Sequence, residues 1–323
     1  MYVITGGAGF IGSVLLWRLN EAGVEDIIVV DHLASSSKWA NLVKRAYVDY
    51  MHRDRFYDLV RRNALPWKVT AIVHLGACSS TTEQNADFLM ENNFHCSRDL
   101  CRYALDNGAR FIAASSAATY GDGSSGFSDD PAMLPYLRPL NMYGYSKHLF
   151  DLWLLRENLV DSAVSLKFFN VYGPNEYHKG DMQSVVAKAH RQIKEEGRLC
   201  LFKSSVPFME HGGQKRDFIY VKDCAALIVW LLEQWETNGI MNVGTGTART
   251  FNDLGRAVFA ALEKQSTIEY IDMPKSLQGR YQNFTEADMD WMRETGCPMT
   301  FTGLEEGVRD YVQNYLEKAD KYL

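Results

Sequence analysis

The chain of 323 residues reads as α/β: a doubly wound parallel sheet with a smaller α/β part attached. Three observations predict this. Short, continuous apolar runs alternate with helical spacing through the first half. A glycine-rich turn joins the first strand to the first helix. After Gly173-Pro174 the alternation gives way to polar loops and a mixed C-terminal part.

Tyr2-Val3-Ile4 is the first strand, and helical spacing runs from Phe10 to Ala22. Ile27 to Val30 forms the second strand, ended by Asp31. Ala71 to Leu75 and Phe111 to Ala114 are further strands, with a helical stretch from Phe88 to Leu105 between them. Strands that are apolar throughout require cover on both faces. A helix begins near Tyr143, and Ser165 to Phe169 is the strand behind it. Phe218-Ile219-Tyr220-Val221 and Ala225 to Trp235 read as a return to the sheet domain. From about Phe251, two or three helices mix with a short strand at Ile268-Glu269-Tyr270. Residues 1–170 and about 216–248 therefore form one expected domain. Residues 171–215 and 249–323 form the other.

Composition narrows the class. Apolar residues make up 46% and charged residues 23%, as in ordinary globular proteins. A net charge of -6 argues against a nucleic-acid partner that needs a basic face. No apolar run is long enough to span a bilayer. The six cysteines are scattered, with no Cys-x-x-Cys, and read as reduced thiols of a cytosolic protein. The histidines lack ligand spacing, so no metal site is expected.

Gly6, Gly9 and Gly12 sit between the first strand and the first helix, and Gly7-x-Gly9-x-x-Gly12 matches a dinucleotide fingerprint. Glycine there allows positive φ and lets backbone approach a pyrophosphate. The helix from Phe10 aims free N–H groups at the phosphates. Asp31 stands where a ribose hydroxyl partner is expected. This is the Rossmann-type pattern. Asp31 alone favours NAD. Lys38, in a Ser-rich loop, and Arg53 either neutralise a 2′-phosphate, favouring NADP, or are solvated surface charges.

Tyr143 and Lys147 lie four apart in Tyr-Gly-Tyr-Ser-Lys and share one helix face, whereas Tyr145 is turned about 200° from Tyr143. The ammonium is expected to lower the phenol's pKa toward neutrality, and an oxidised nicotinamide to help in the same sense. Ser115 and Ser116 end a strand, where such folds open onto ligand. A serine there, Ser116, reaches the same substrate hydroxyl as Tyr143. A hydride carrier beside a phenolic acid/base is equipment for oxidising or reducing a secondary alcohol.

With these motifs the chain resembles the extended short-chain dehydrogenase/reductase superfamily. The resemblance covers Thr-Gly-Gly-Ala-Gly-Phe-Ile-Gly at 5–12, Ser-Ser-Ala-Ala-Thr-Tyr-Gly at 115–121, Tyr-Gly-Tyr-Ser-Lys at 143–147, Phe-Phe-Asn-Val-Tyr-Gly-Pro at 168–174 and Arg-Asp-Phe-Ile-Tyr-Val-Lys-Asp at 216–223. Members are nucleotide-sugar epimerases, dehydratases and reductases. Dehydratases usually carry an acidic pair where this chain has Ala117-Ala118.

A closer resemblance, to the ADP-heptose 6-epimerase family, rests on Gly76-Ala77-Cys78-Ser79-Ser80-Thr81-Thr82-Glu83, Asn92-Asn93, His178-Lys179-Gly180, Lys215-Arg216-Asp217-Phe218 and Gly279-Arg280-Tyr281-Gln282. It implies that Phe10, Ile11, Asp31, His32, Lys38, Arg53, Leu75, Gly76, Ala77, Cys78, Ser79, Asn92 and Val171 line an NADP cofactor. It implies that Asn170, Phe202, Lys203, Ser204, Ser205, Arg216 and Tyr281 hold an ADP-heptose, with Arg216 on the diphosphate. Lys179 becomes either a second proton donor, touching cofactor and substrate, or a phosphate-binding lysine. The chain departs from the family at Asp181, Gln183 and Lys188 and in a longer Val206 to Gln214 segment. Asp181 and Lys188 are counted with the substrate residues. The resemblance further implies a homo-oligomer and a role in lipopolysaccharide core precursor synthesis. The alternatives are a UDP-hexose 4-epimerase of the same superfamily and a non-catalytic dinucleotide sensor.

Overall fold

The computed structural model describes residues 1–274 and 282–323. Strand β1 (Tyr2–Thr5) leads through the glycine turn into α1 (Phe10–Glu21), then β2 (Ile27–Asp31), β3 (Asp49–His52), α2 (Arg53–Arg61) and β4 (Ala71–His74). The next helix is interrupted. α3 (Ala86–Leu89) passes through a π turn at Met90–His95 into α4 (Cys96–Asp106). Asn93 lies in that turn and is fully buried. Its amide exchanges hydrogen bonds with the Cys78 backbone, and Ser97 donates to its carbonyl at 2.5 Å. Such π turns are common where a helix serves a site.

β5 (Arg110–Ser116), α5 (Met142–Arg156) and β6 (Val164–Phe168) complete the run of βα units. The strands form an all-parallel sheet in the order β10-β6-β5-β4-β1-β2-β3, where β10 is Gly239–Val243. Alternation explains the two cores. Ile4, Val29, Val73 and Ile112 face one side, packed with α1 and α7 (Val221–Glu233). Val3, Ile28, Ile72 and Phe111 face the other, packed with Phe56 of α2, Leu100 of α4 and Phe150 of α5. This is the doubly wound arrangement expected from the sequence.

The smaller part uses β7 (Asn170–Tyr172), α6 (Val185–Glu196), β8 (Leu199–Phe202), β9 (Lys215–Tyr220), β11 (Ala248–Thr250), α8 (Phe251–Ala261), β12 (Ile268–Ile271), α9 (Asp290–Glu294) and α10 (Leu304–Tyr311). Phe218-Ile219-Tyr220 does not rejoin the seven-stranded sheet. It pairs with β7 on one side and β11 on the other, in a separate three-stranded sheet. The main sheet is regained only by α7, against α1, and by β10, against β6. β12 and β8 form a third, two-stranded sheet.

Buried Arg110, at the start of β5, ties α7 down. Its guanidinium donates to the carbonyls of Leu231 (3.3 Å), Gln234 (3.1 Å), Trp235 (3.0 Å) and Thr237 (2.5 Å), in the last turn of the helix and the turn that follows it. Hydrogen bonds to a charged group contribute about 1.5–3 kcal/mol each, net of exchange with water. Arg110→Met is expected to lower stability by about 2–4 kcal/mol. Chemical denaturation checks this, and an unchanged midpoint would assign the helix end to other contacts.

Candidate active site

The C-terminal ends of β1, β2, β4, β5 and β6 open into one cavity of about 760 Å³. Its floor is the glycine turn. Gly6 has φ +66, and a Cβ there would lie 2.7 Å from the nitrogen of Gly76. Gly12 has no positive φ, yet a Cβ on it would meet the Gly6 carbonyl oxygen at 2.2 Å. Positive φ is thus required at Gly6, and close approach at Gly12. The turn leaves bare backbone at the N-terminus of α1, a cradle that fits a dinucleotide pyrophosphate. Asp31 holds the turn from the side, accepting from Ala8 N at 2.9 Å. Its other oxygen accepts from Lys38 Nζ at 2.6 Å. Arg53, opening α2, donates to Asn92 Oδ1 at 2.7 Å.

Asn141 caps α5, accepting from Gly144 N at 2.8 Å, and so sets the first turn that carries Tyr143. Asn93 supports the same turn through Ser146, which in turn donates to the Tyr143 carbonyl. Tyr143 and Lys147 both line the cavity, whereas Tyr145 is 44% exposed. Lys147 Nζ donates to the Ala114 carbonyl at 2.7 Å, and the Tyr143 hydroxyl is hydrogen-bonded to Ser116.

The electrostatics correct the expected titration of the phenol. Burial raises the Tyr143 pKa, and the Ser116 bond opposes it. Burial also lowers Lys147 to about 8, with Asp151 pulling it back up. The Lys147 ammonium favours the phenolate but does not outweigh the burial of Tyr143. Only an added positive charge, such as that of an oxidised nicotinamide, would draw the phenol down.

Lys179 enters from the turn at Tyr177–Met182, its ammonium 5.0 Å from the centre of the Phe10 ring. Burial lowers its pKa, and buried Glu176 opposes this. His178 is lowered to about 4, first by burial and then by Lys38 and Lys179, and stays neutral.

The structure gathers Gly6, Gly9, Phe10, Ile11, Gly12, Asp31, His32, Lys38, Arg53, Leu75, Gly76, Ala77, Cys78, Ser79, Asn92, Ser116, Tyr143, Lys147, Asn170, Val171 and Lys179 round this cavity. Among the described substrate candidates, Asp181, Lys188, Phe202, Lys203, Ser204, Ser205 and Arg216 are not part of its lining. Lys188 Nζ donates to the Asp181 carbonyl at 2.6 Å, beside the lining residues Met182 and Gln183. Phe202 ends β8 and Lys203, Ser204 and Ser205 follow it, with Lys203 paired with Asp272 at 2.9 Å. Buried Arg216 donates to the carbonyls of Lys215 and Gln282 and lies 5.7 Å from the Phe251 ring centre. Tyr281 lies outside the described residues. Three groups went unread in the sequence: His74, held by Thr5 and Ser97; Glu176, which accepts from Ser184; and the pair Asp151–Lys167. Asp151 carried a signal, since it continues the four-residue spacing of Tyr143 and Lys147.

The NAD dependent epimerase/dehydratase family model matches residues 2–244, and the chain belongs to that family. It is 62% identical, over the full length of both chains, to an ADP-L-glycero-D-manno-heptose-6-epimerase of Nitratidesulfovibrio vulgaris strain DP4. The fold is similar to the crystal structure of the Helicobacter pylori ADP-L-glycero-D-manno-heptose-6-epimerase, with TM-score 0.81 and 26% identity, covering 97% of this chain and 95% of that one. It is also similar to a Thermus thermophilus UDP-glucose 4-epimerase in complex with NAD, with TM-score 0.73 and 25% identity over 96% and 97% of the two chains.

Tyr143→Phe is expected to lower turnover by on the order of 10² to 10⁴, because the ring stays and the proton-transferring group goes. Tyr145→Phe is expected to retain near wild-type turnover. Steady-state kinetics of the two variants checks the assignment, and the reverse order would refute it.

Proposed function

We propose that this chain inverts carbon six of ADP-D-glycero-D-manno-heptose, giving ADP-L-glycero-D-manno-heptose through a transient ketone. The carrying observation is one cavity that joins a dinucleotide cradle to Tyr143, Lys147 and Ser116 on one side and Lys179 on another. The full-length relative of that name supports the substrate. The enzyme is an isomerase.

Carbon six has no neighbouring carbonyl, so no side chain deprotonates its C–H at neutral pH. When bound, the nicotinamide cofactor supplies reversible hydride acceptance, so inversion proceeds with no net redox change. Tyr143 takes the hydroxyl proton, with Ser116 bonded to the same oxygen and Lys147 behind it. Carbon six is exocyclic, so rotation about its bond to the ring presents the other ketone face. The oxygen has then turned away from Tyr143, and Lys179 returns a proton there. Phe10, Asp31 and Leu75 would hold the cofactor. Asn170, Arg216 and the segment Phe202 to Ser205 are read as substrate residues, Arg216 serving the diphosphate. The division into 1–170 with about 216–248, and 171–215 with 249–323, follows the same reading. NADP is the expected cofactor, the cytosol the expected compartment, and a homo-oligomer the expected assembly.

Incubation with ADP-D-glycero-D-manno-heptose, followed by NMR, should yield the L-glycero epimer. Interconversion of UDP-glucose and UDP-galactose in its place would favour the 4-epimerase alternative.

Lys38→Ala with Arg53→Ala should weaken NADP binding by about 1.5–3 kcal/mol per lost contact and leave NAD nearly unchanged. Equal losses in calorimetry would mean that these residues do not read the 2′-phosphate. Lys179→Met should stop epimerisation yet permit one half-reaction with an aldehyde analogue, and Tyr143→Phe should impair the other. Near wild-type interconversion by Lys179→Met would reduce Lys179 to a binding residue.

A further inference from the structure

Behind the catalytic face of α5 lies a second set of buried charges that is not part of the cavity lining. Tyr143, Lys147 and Asp151 follow one another at i, i+4 and i+8, along a single helix face. Asp151 is fully buried, as is Lys167 on β6, and Lys167 Nζ lies 2.6 Å from Asp151 Oδ2. The same oxygen accepts from Ser115 Oγ at 2.9 Å, and Oδ1 accepts from Ser165 Oγ at 2.7 Å. Lys167 Nζ also donates to Thr119 Oγ1 at 2.8 Å. One carboxylate thus binds α5, β5 and β6 together. Ser115 is flanked by Ala114, whose carbonyl holds Lys147, and by Ser116, which is bonded to Tyr143.

We infer that Asp151 is a positioning residue of the catalytic pair: it fixes the end of β5 through Ser115 and sets a negative charge one helical turn behind the Lys147 ammonium. This rests on the proposed roles of Tyr143 and Lys147. Lys167 is the counter-charge that permits a carboxylate to sit there without water.

The groups facing this cluster are few. Lys147 meets His74 from β4, which burial keeps neutral, and Tyr143 and Asp151 from its own helix. Asp151 meets Lys167 from β6, Tyr120 from the turn after β5, and His148, which burial lowers to about 4. Asp151 is the charge that holds Lys147 up against its burial. Removing it makes the ammonium more acidic, so activity that needs the ammonium is lost at lower pH.

Asp151→Asn alone strands Lys167 and risks unfolding, so the decisive variant is Asp151→Asn with Lys167→Met, which removes both charges together. Asp151 is the charge that acts on Lys147, so its loss should still move the basic limb in kcat against pH down. Carbon NMR of the lysine ε-methylene, assigned by Lys147→Met, should show the same shift whatever sugar the enzyme accepts. Ser115→Ala keeps the charge and cuts the tether. It should lower kcat several-fold at unchanged KM, with the limb unmoved. A double variant with an unmoved limb and unmoved Lys147 titration would overturn the inference and leave Asp151 a purely structural residue. A shifted Lys147 titration without epimerase activity in the wild type would instead count against the substrate reading alone.

Discussion

The cavity depends on how closely backbone meets backbone at the ends of β1 and β4. Gly6 packs against Gly76, and Gly12 packs under the Gly6 carbonyl, at distances where any side chain would collide. That contact sets α1 tight against the strand ends. Phe10 and Ile11 then line the cavity, and the exposed N–H groups of α1 face it. The helix terminus favours anions by roughly half an elementary charge. Asp31 opposes this field, but its carboxylate is taken up by Ala8 N, His32 N and Lys38. A negative side chain therefore sits beside an anion site without spoiling it.

Buried charge is the second constraint. Lys147, Asp151 and Lys167 lie within a few bonds of one another in a region almost without solvent. Separately each would incur several kcal/mol of desolvation, and together they offset it. The cost remaining appears in the lowered Lys147 pKa. A lysine poised near 8 responds to nearby charge in the working range, which an exposed lysine near 10.4 does not. The raised Tyr143 phenol completes the logic. The resting protein holds a neutral acid, and deprotonation is favoured only when positive charge arrives at the cavity.

Much of this was legible in the sequence because the signals are local. Gly6 to Gly12, Asp31 at a strand end and the Tyr143–Lys147 spacing each need only a few residues to be read. The strand partners of Phe218-Ile219-Tyr220 were not legible, because its apolar alternation is the same in any sheet. Which strands it joins is decided by β7 and β11, distant in sequence. The direction of the Tyr143 shift was misread because spacing shows that a lysine is near but not that both groups are dry. Lys167 was invisible for a similar reason. A lysine in an apolar strand is explained only by Asp151, which reaches it from another element.

The two proton groups of the proposed reaction are mounted on independent supports. Tyr143 is fixed through Asn141, Asn93 and Ser116, all within the sheet domain. Lys179 is carried by a turn that Glu176 braces through Ser184 and that Tyr177 anchors to the Lys321 carbonyl. Asn41 joins the two sides, donating to the Ala8 and Asn175 carbonyls at 2.9 and 3.1 Å. Neither group needs to move for the other to act. An inversion served by two fixed groups requires the substrate to turn between them. A bond outside the sugar ring permits this with the nucleotide still held. A ring carbon would require the whole sugar to leave its contacts, and the braced Lys179 turn would then offer no advantage over a single phenol.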